Sequence, residues 1–154
     1  MLTIEDEAQG YVSRAALKLK HGLTEFGISV QGKNALDIGA STGGFTQVLL
    51  EEGAAHVTAI DVGHGQMQVH DRRVTLIEGL NARDLSTEHF DRPIQLVVCD
   101  VSFISLKLAL PAAMELAHKV TVVAFDKTGT LTVGQPQVTA LVVAPLAGPS
   151  PSGS

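Results

Sequence analysis

The chain has 154 residues, of which 45% are hydrophobic, and carries a formal net charge of −5. This length suits one domain with a sizeable core, and the acidic balance disfavours strong nucleic-acid binding, because phosphate contacts need clustered Lys and Arg. The single Cys99 excludes an internal disulfide and a cysteine metal cluster, and no apolar run is long enough for a secretory signal or a membrane span. We therefore expect a cytoplasmic protein that does not associate with membranes.

The first predicted element is an amphipathic helix. Residues 1–10 are polar and acidic and are expected to be a flexible lead-in. From Tyr11 to Phe26 apolar residues recur at helical spacing, and Ser13 or an earlier residue is the expected cap. Basic residues spaced by four and three share one side of this helix: Arg14, Lys18 and His21. Taken alone, the helix favours the interpretation of a solvated basic face.

A glycine-rich turn between a strand and a helix is the most informative stretch. The apolar run 34–38 predicts the first strand, and the segment from Phe45 to Glu52 predicts a helix. Glycines let backbone N–H groups approach a ligand, and a helix start favours electron-rich groups. The candidate ligand-binding residues in and beside this turn are Asp37, Gly39, Ser41, Thr42, Gly43, Gly44 and Phe45. The alternative is a plain glycine turn, which any α/β protein can contain.

Two further strands are predicted next, each followed by a candidate ligand-binding residue. Residues 57–61 form the second strand and end in Asp61, which is placed to accept both hydroxyls of a ribose. Residues 74–77 form the third, and Asn81 after it is a candidate for the edge of an adenine ring, while Asp84 is a candidate cap for the next turn. These positions predict a nucleoside cofactor. The loop departs from the G-x-G-x-x-G spacing, so a dinucleotide fits poorly.

A continuous apolar run, residues 94–99, predicts a strand covered on both faces, as in a parallel sheet. Asp100 ends this run, at the sheet edge where α/β folds place their ligands. The other interpretation is that Asp100 caps the next helix, although Ser102 or Ser105 could serve instead. The expected fold class is α/β, with a mostly parallel sheet and helices on both faces.

Three strings closely resemble the TlyA family of haemolysin-type, FtsJ-like RNA 2'-O-methyltransferases. They are Y-V-S-R-A-A-L-K-L at 11–19, D-I-G-A-S-T-G-G-F-T at 37–46 and D-V-S-F-I-S-L-K at 100–107. The resemblance covers about residues 11–111 and implies a Rossmann-like sheet, S-adenosylmethionine as cofactor and ribosomal RNA as substrate. It also implies that Lys18 and Asp100 are two members of a catalytic Lys-Asp-Lys-Glu tetrad that activates a ribose 2'-hydroxyl.

The resemblance stops before the second half of that tetrad. The family's K-P-Q-F-E string, which supplies the second lysine, and the tetrad glutamate have no match here. Residues 123–138 instead read V-A-F-D-K-T-G-T-L-T-V-G-Q-P-Q-V, which resembles the phosphorylation motif of heavy-metal P-type ATPases, with Asp126 as the phosphorylated residue. The other parts of such an ATPase are missing. The sequence thus looks like a fusion of two unrelated coding regions, with the junction near residues 111–118.

These features divide the chain into a partial methyltransferase domain at 11–118, an ATPase-like segment at 119–143 and a disordered tail at 144–154. Residues 120–125 are expected to replace the fifth strand of a C-terminally truncated sheet, and residues 137–144 to add an edge strand. The family's basic S4-type RNA-binding domain is expected to be absent, which weakens RNA binding. The leading interpretation is a truncated RNA methyltransferase. The alternatives are an inactive remnant that binds S-adenosylmethionine and, less favoured, a P-type ATPase fragment.

Overall fold

The computed structural model describes residues 10–101, 108, 111, 121–126 and 140–143. The helices and strands with bounds among these residues are, in chain order, α1 (Ala15–Glu25), β1 (Asn34–Ile38), α2 (Gly44–Glu51), β2 (His56–Asp61), β3 (Val74–Glu78), β4 (Leu96–Val101), β5 (Thr121–Asp126) and β6 (Ala140–Val143). Two 3₁₀ turns, Ala82–Asp84 and Thr87–His89, lie between β3 and β4.

The strands form one six-stranded sheet in the order β3-β2-β1-β4-β5-β6. Every neighbouring pair is parallel except β5 and β6, which are antiparallel. The α/β fold class and the parallel sheet are therefore confirmed. Since β1, β2 and β4 run the same way, their carboxyl ends meet at one edge, and that edge carries the acidic residues noted in the sequence.

Both α-helices described here pack on the same face of the sheet. Apolar residues recur on one side of each helix and meet the strand residues that point the same way. The fully buried members of this core are Ala16, Leu19, Val48, Leu49, Val57, Leu96, Val98 and Val123. The opposite face is buried as well at Leu36, Val97 and Cys99, as the continuous apolar runs predicted.

Helix α1 begins four residues later than predicted, at Ala15 instead of Tyr11. The earlier residues are held in another conformation, because the Gln47 side chain of α2 donates to the Gly10 carbonyl and accepts from the Val12 N–H. The residue at the N-cap is Arg14, which makes no side-chain cap hydrogen bond, so the expected cap at Ser13 is wrong; the Ser13 hydroxyl accepts the Ala15 N–H at 3.0 Å from one position earlier.

The segment with the ATPase-like sequence contributes two strands. The predicted fifth strand is confirmed as β5, beside β4, and the predicted edge strand is confirmed over the shorter range of β6. The expected lead-in and tail, the candidate caps Ser102 and Ser105, and the rest of the ATPase-like motif after Asp126 lie outside the described residues, apart from Gly10 and β6.

Candidate functional site

The glycine loop, residues 39–43, connects β1 to α2 at the carboxyl edge of the sheet. Its chain turns through left-handed conformations at Gly39 (φ 76°), Ser41 (φ 53°) and Gly43 (φ 103°). The N–H groups of Gly39 and Ala40 both donate to the Ile60 carbonyl, which fixes the loop against β2. Among the described residues other than glycine, Ser41 alone has a positive φ, a costly conformation that often marks functional sites.

Asp61 holds this loop in place. One carboxylate oxygen accepts the Ser41 N–H at 2.7 Å, and the other accepts the Gly63 N–H at 2.8 Å. The sequence predicted that Asp61 contacts a ligand. It did not predict that Asp61 accepts hydrogen bonds from the two loops, because no local sequence pattern indicates those bonds. Each carboxylate oxygen can accept a second hydrogen bond, so the predicted ribose contact stays compatible with the structure.

A second loop covers the glycine loop from outside. The Gln68 N–H donates to the Thr42 carbonyl at 2.9 Å. A Cβ atom placed on Gly43 would lie 2.6 Å from the Met67 sulfur and 2.8 Å from a methyl group of Val69. Gly44 is enclosed from the other side by Ser13. Glycine at 43 is therefore favoured by backbone conformation and by close packing, and glycine at 44 by close packing alone.

Asp37 is a buried carboxyl with one unused oxygen. Its side chain lies on the helix face of β1 and the residue is 1% exposed. The Thr46 hydroxyl donates to Oδ2 at 2.7 Å, whereas Oδ1 has no partner among the described residues. Burial raises the pKa of Asp37 to about 7, and the nearby charges of Asp100 and Asp61 act in the same direction. An unused buried acceptor is a place for a donor from a ligand.

Lys18 and Asp100, which the resemblance paired, lie together in the structure. The Lys18 ammonium on α1 donates to an oxygen of Asp100 on β4 at 3.2 Å, and their side chains are 25% and 10% exposed. Arg14 and His21 are exposed, as a solvated face would be, whereas Lys18 turns inward to the carboxylate. The solvated-face interpretation is therefore wrong for Lys18.

This ion pair yields the first testable prediction. Lys18→Met should lower the free energy of unfolding by about 1–2 kcal/mol, because Asp100 would keep its charge in a mostly buried place without a cation. Urea unfolding measures the loss. The matched control is Arg92→Met, which removes an exposed pair with Asp91 and should change stability by less than about 0.5 kcal/mol. Equal effects of the two variants would contradict the prediction.

A cavity of about 80 Å³ opens between the glycine loop and Asp100. Its lining residues are Ser13, Ala15, Gly39, Ala40, Ser41, Thr42, Gly44, Phe45 and Asp100. The structure thus brings the candidates of the glycine loop and the candidate catalytic aspartate around one space. Asp61 borders the loop from behind, and Gly43 and Asp37 support it.

The remaining candidates lie farther along the same edge. The Asn81 side chain accepts the Arg83 N–H at 3.1 Å and caps the turn Ala82–Asp84, which contains Asp84 as its last residue. Its neighbour Leu80 donates its N–H to the Asp61 carbonyl, which keeps Asn81 near the candidate ribose residue. Asp126 ends β5, opposite Val101 of β4.

No three or more His, Cys, Asp or Glu side chains in the part of the chain that the structure describes come together in a way that would hold a metal ion. No helix in the same residues is long and apolar enough to cross a membrane.

Comparisons with known proteins agree on one family. The sequence model of the FtsJ-like methyltransferases matches residues 11–140. The 16S/23S rRNA (cytidine-2'-O)-methyltransferase TlyA of Mycobacterium tuberculosis is 48% identical over 122 residues, which cover 77% of this chain and 46% of that protein. Hemolysin A of Brachyspira hyodysenteriae is 52% identical over 105 residues, covering 66% and 44%.

A solved structure agrees as well. A hemolysin-type protein from Lactococcus lactis superposes with a TM-score of 0.71 at 44% identity, covering 75% of this chain and 58% of that one. The chain spans about half the length of the curated relatives it matches. The family model also continues through β5 to the start of β6, so it includes most of the segment whose sequence resembles an ATPase.

Proposed function

This chain belongs to the FtsJ-like methyltransferase family, and we propose that it acts in methyl transfer from S-adenosylmethionine to a ribose 2'-hydroxyl of ribosomal RNA. The observation that carries the proposal is the 3.2 Å pair of Lys18 and Asp100 at the cavity beside the glycine loop. Similarity to TlyA over 77% of this chain supports the reaction and the RNA substrate.

The residues present fit such a cofactor. S-adenosylmethionine carries an ammonium and a sulfonium, and three carboxyl groups lie near each other at this edge: Asp37, Asp61 and Asp100. The unused oxygen of Asp37 is a buried acceptor for a cationic donor. The glycine loop and Phe45, in the first turn of α2, form a wall of the cavity. We assign these residues, with Asp61 and Asn81, to cofactor binding.

Lys18 and Asp100 are assigned to the hydroxyl group of the substrate. The bound cofactor supplies an electrophilic methyl group, and the protein supplies position and electrostatics. The Asp100 carboxylate can accept a hydrogen bond, or the proton itself, from the substrate hydroxyl. The Lys18 ammonium can donate a hydrogen bond to the oxygen atom of that hydroxyl. The pair is already formed between α1 and β4, so little rearrangement is needed to orient the substrate.

Cofactor binding is tested by thermal unfolding. S-adenosylmethionine at about a hundred times its dissociation constant should stabilise the protein by roughly 2.7 kcal/mol and raise Tm by several degrees. S-adenosylhomocysteine should act similarly, and adenosine alone should act less. A cooperative transition that none of these ligands moves would contradict the proposal.

Methyl transfer is tested separately with radiolabelled cofactor and ribosomal RNA. Label should appear in the RNA with the wild-type chain and be lost with Asp100→Asn and Lys18→Met, while both variants still bind the cofactor. A wild-type chain that binds the cofactor and transfers no label would favour the second candidate, a cofactor-binding remnant, which the unmatched half of the tetrad supports.

Phosphorylation of Asp126 stays a prediction of the sequence alone. Incubation with labelled ATP should give an acid-stable acyl phosphate that disappears in Asp126→Asn. No contact within the described residues favours this reaction over methyl transfer.

A further inference from the structure

Phe125 belongs to the segment whose sequence resembles an ATPase, and it occupies the centre of the methyltransferase core. It lies on β5, on the helix face of the sheet, and is 1% exposed. In the parallel register it stands directly beside Asp100 of β4. The family resemblance noted in the sequence assigned this residue no role.

The Phe125 ring limits how closely α1 approaches the sheet. A Cβ atom on Gly22 would lie 2.6 Å from the ring Cζ atom, so the helix touches the ring through a residue that has no side chain. Gly22 follows Lys18 by one helical turn and is buried on the same helix. The contact therefore sets the height of Lys18 above Asp100.

The same ring also contacts the helix that starts at the glycine loop. Phe125 and Phe45 meet edge to face, with ring centroids 5.5 Å apart and an interplanar angle of 75°. This is a favoured aromatic geometry. Phe45 lines the cavity directly after Gly44, whereas Phe125 is absent from the lining. The Phe125 side chain thus contacts both α1 and α2, and its residue is the register neighbour of Asp100.

We infer that Phe125 is a positioning residue, which aligns the Lys18–Asp100 pair with the cofactor-binding loop. It touches neither the cavity nor the reacting groups, so it acts through Gly22 and Phe45. The inference rests on the proposed function, because the two features it aligns are the candidate catalytic pair and the candidate cofactor loop. It gives the ATPase-like segment a role in the methyltransferase site.

The test compares Phe125→Leu with Val123→Ala in the full chain. Val123 is fully buried on the same strand and face, so its truncation also removes core packing, but no ring contact to α1 or α2 is lost. With Phe125→Leu we expect S-adenosylmethionine affinity to fall by about threefold to thirtyfold. Methyl transfer at saturating cofactor should fall by up to about a hundredfold, because misplacement of reacting groups is costly. Val123→Ala should change neither quantity by more than about twofold.

Amide hydrogen exchange keeps the test independent of cofactor binding. Phe125→Leu should accelerate exchange in α1 and in the first turn of α2 while β2 and β3 keep their protection, since the ring meets Gly22 of α1 and Phe45 of α2. Val123→Ala should accelerate exchange evenly across the protected core. If the two variants give the same exchange pattern, or the same ratio of cofactor affinities to wild type, the inference is overturned.

A double-mutant cycle tests whether Phe125→Leu relieves the effect of a methyl group added at Gly22. Gly22→Ala alone should loosen α1 and weaken cofactor binding, because its methyl group overlaps the ring. Combined with Phe125→Leu, which vacates that space, the added methyl group should cost less than it does in the wild type. Additive effects would overturn the inference. Failure of the wild type to bind S-adenosylmethionine would instead count against the proposed function, and the exchange pattern would still decide the role of Phe125.

Discussion

Gly43→Ala is expected to abolish cofactor binding and to lower the free energy of unfolding by about 3 kcal/mol or more. Two costs combine at this position. The backbone has φ 103°, which L-residues rarely adopt, and the new methyl group would overlap the Met67 sulfur at 2.6 Å and a Val69 methyl group at 2.8 Å. Relief would require the Met67 and Val69 side chains to shift in the covering loop, whose Gln68 N–H donates to the Thr42 carbonyl.

Gly27→Ala is the matched control for that variant. Gly27 also has a positive φ, 63°, yet a Cβ atom there would meet nothing within 4 Å. Its cost should therefore be the backbone cost alone, about 1 kcal/mol. Urea unfolding gives both losses, and calorimetry with S-adenosylmethionine gives the binding loss. Equal destabilisation by the two variants would show that the covering loop does not constrain Gly43.

Asp37→Asn is expected to change how stability depends on pH. Below about pH 3.8, the usual pKa, the carboxyl is protonated in both states and contributes no pH dependence. From there to about pH 7 the unfolded chain loses this proton and the folded protein keeps it, so wild-type stability falls as pH rises. Above about pH 7 the loss is complete. A pKa shift of about 3 units corresponds to on the order of 4 kcal/mol.

The asparagine side chain does not titrate, so its free energy of unfolding lacks this pH dependence. The difference in free energy of unfolding, variant minus wild type, should therefore rise by on the order of 4 kcal/mol between pH 4 and pH 8. Urea unfolding across this range measures the difference. Thr46→Val provides an opposite change, because the Thr46 hydroxyl lowers the pKa of Asp37 and its removal should extend the wild-type loss to higher pH. Parallel pH curves for Asp37→Asn and wild type would contradict the raised pKa of Asp37.

The periodic parts of this fold were predictable and the side-chain network was not. Buried parallel strands carry continuous apolar runs, so β1 and β4 could be located within two residues, and the acids at their ends followed from the direction of a parallel sheet. The meeting of Lys18 and Asp100 came from the family resemblance, because helical spacing alone favoured a solvated face. That face was the wrong interpretation for Lys18, since burial against β4 depends on the tertiary fold.

Other features depend on contacts between segments that share no local signal. The late start of α1 is set by the side chain of Gln47, which lies on another helix. The structural duty of Asp61 depends on N–H groups at Ser41 and Gly63, which only the folded loops direct at it. The sequence around Phe125 pointed to a different protein class, although residues 120–125 were still expected to take the place of the fifth strand.

The strand order has a consequence for synthesis of the chain. Lys18 and Asp100 are 82 positions apart, and the core under α1 also needs β5, which follows β4 in the chain. A ribosome that has made α1, β1 and α2 has therefore released a helix that still lacks the Phe125 ring against Gly22 and the Asp100 partner of Lys18. Such long-range closure is slow and leaves hydrophobic surface exposed in the meantime. The contacts of α1 are therefore completed only once β4 and β5 have been made.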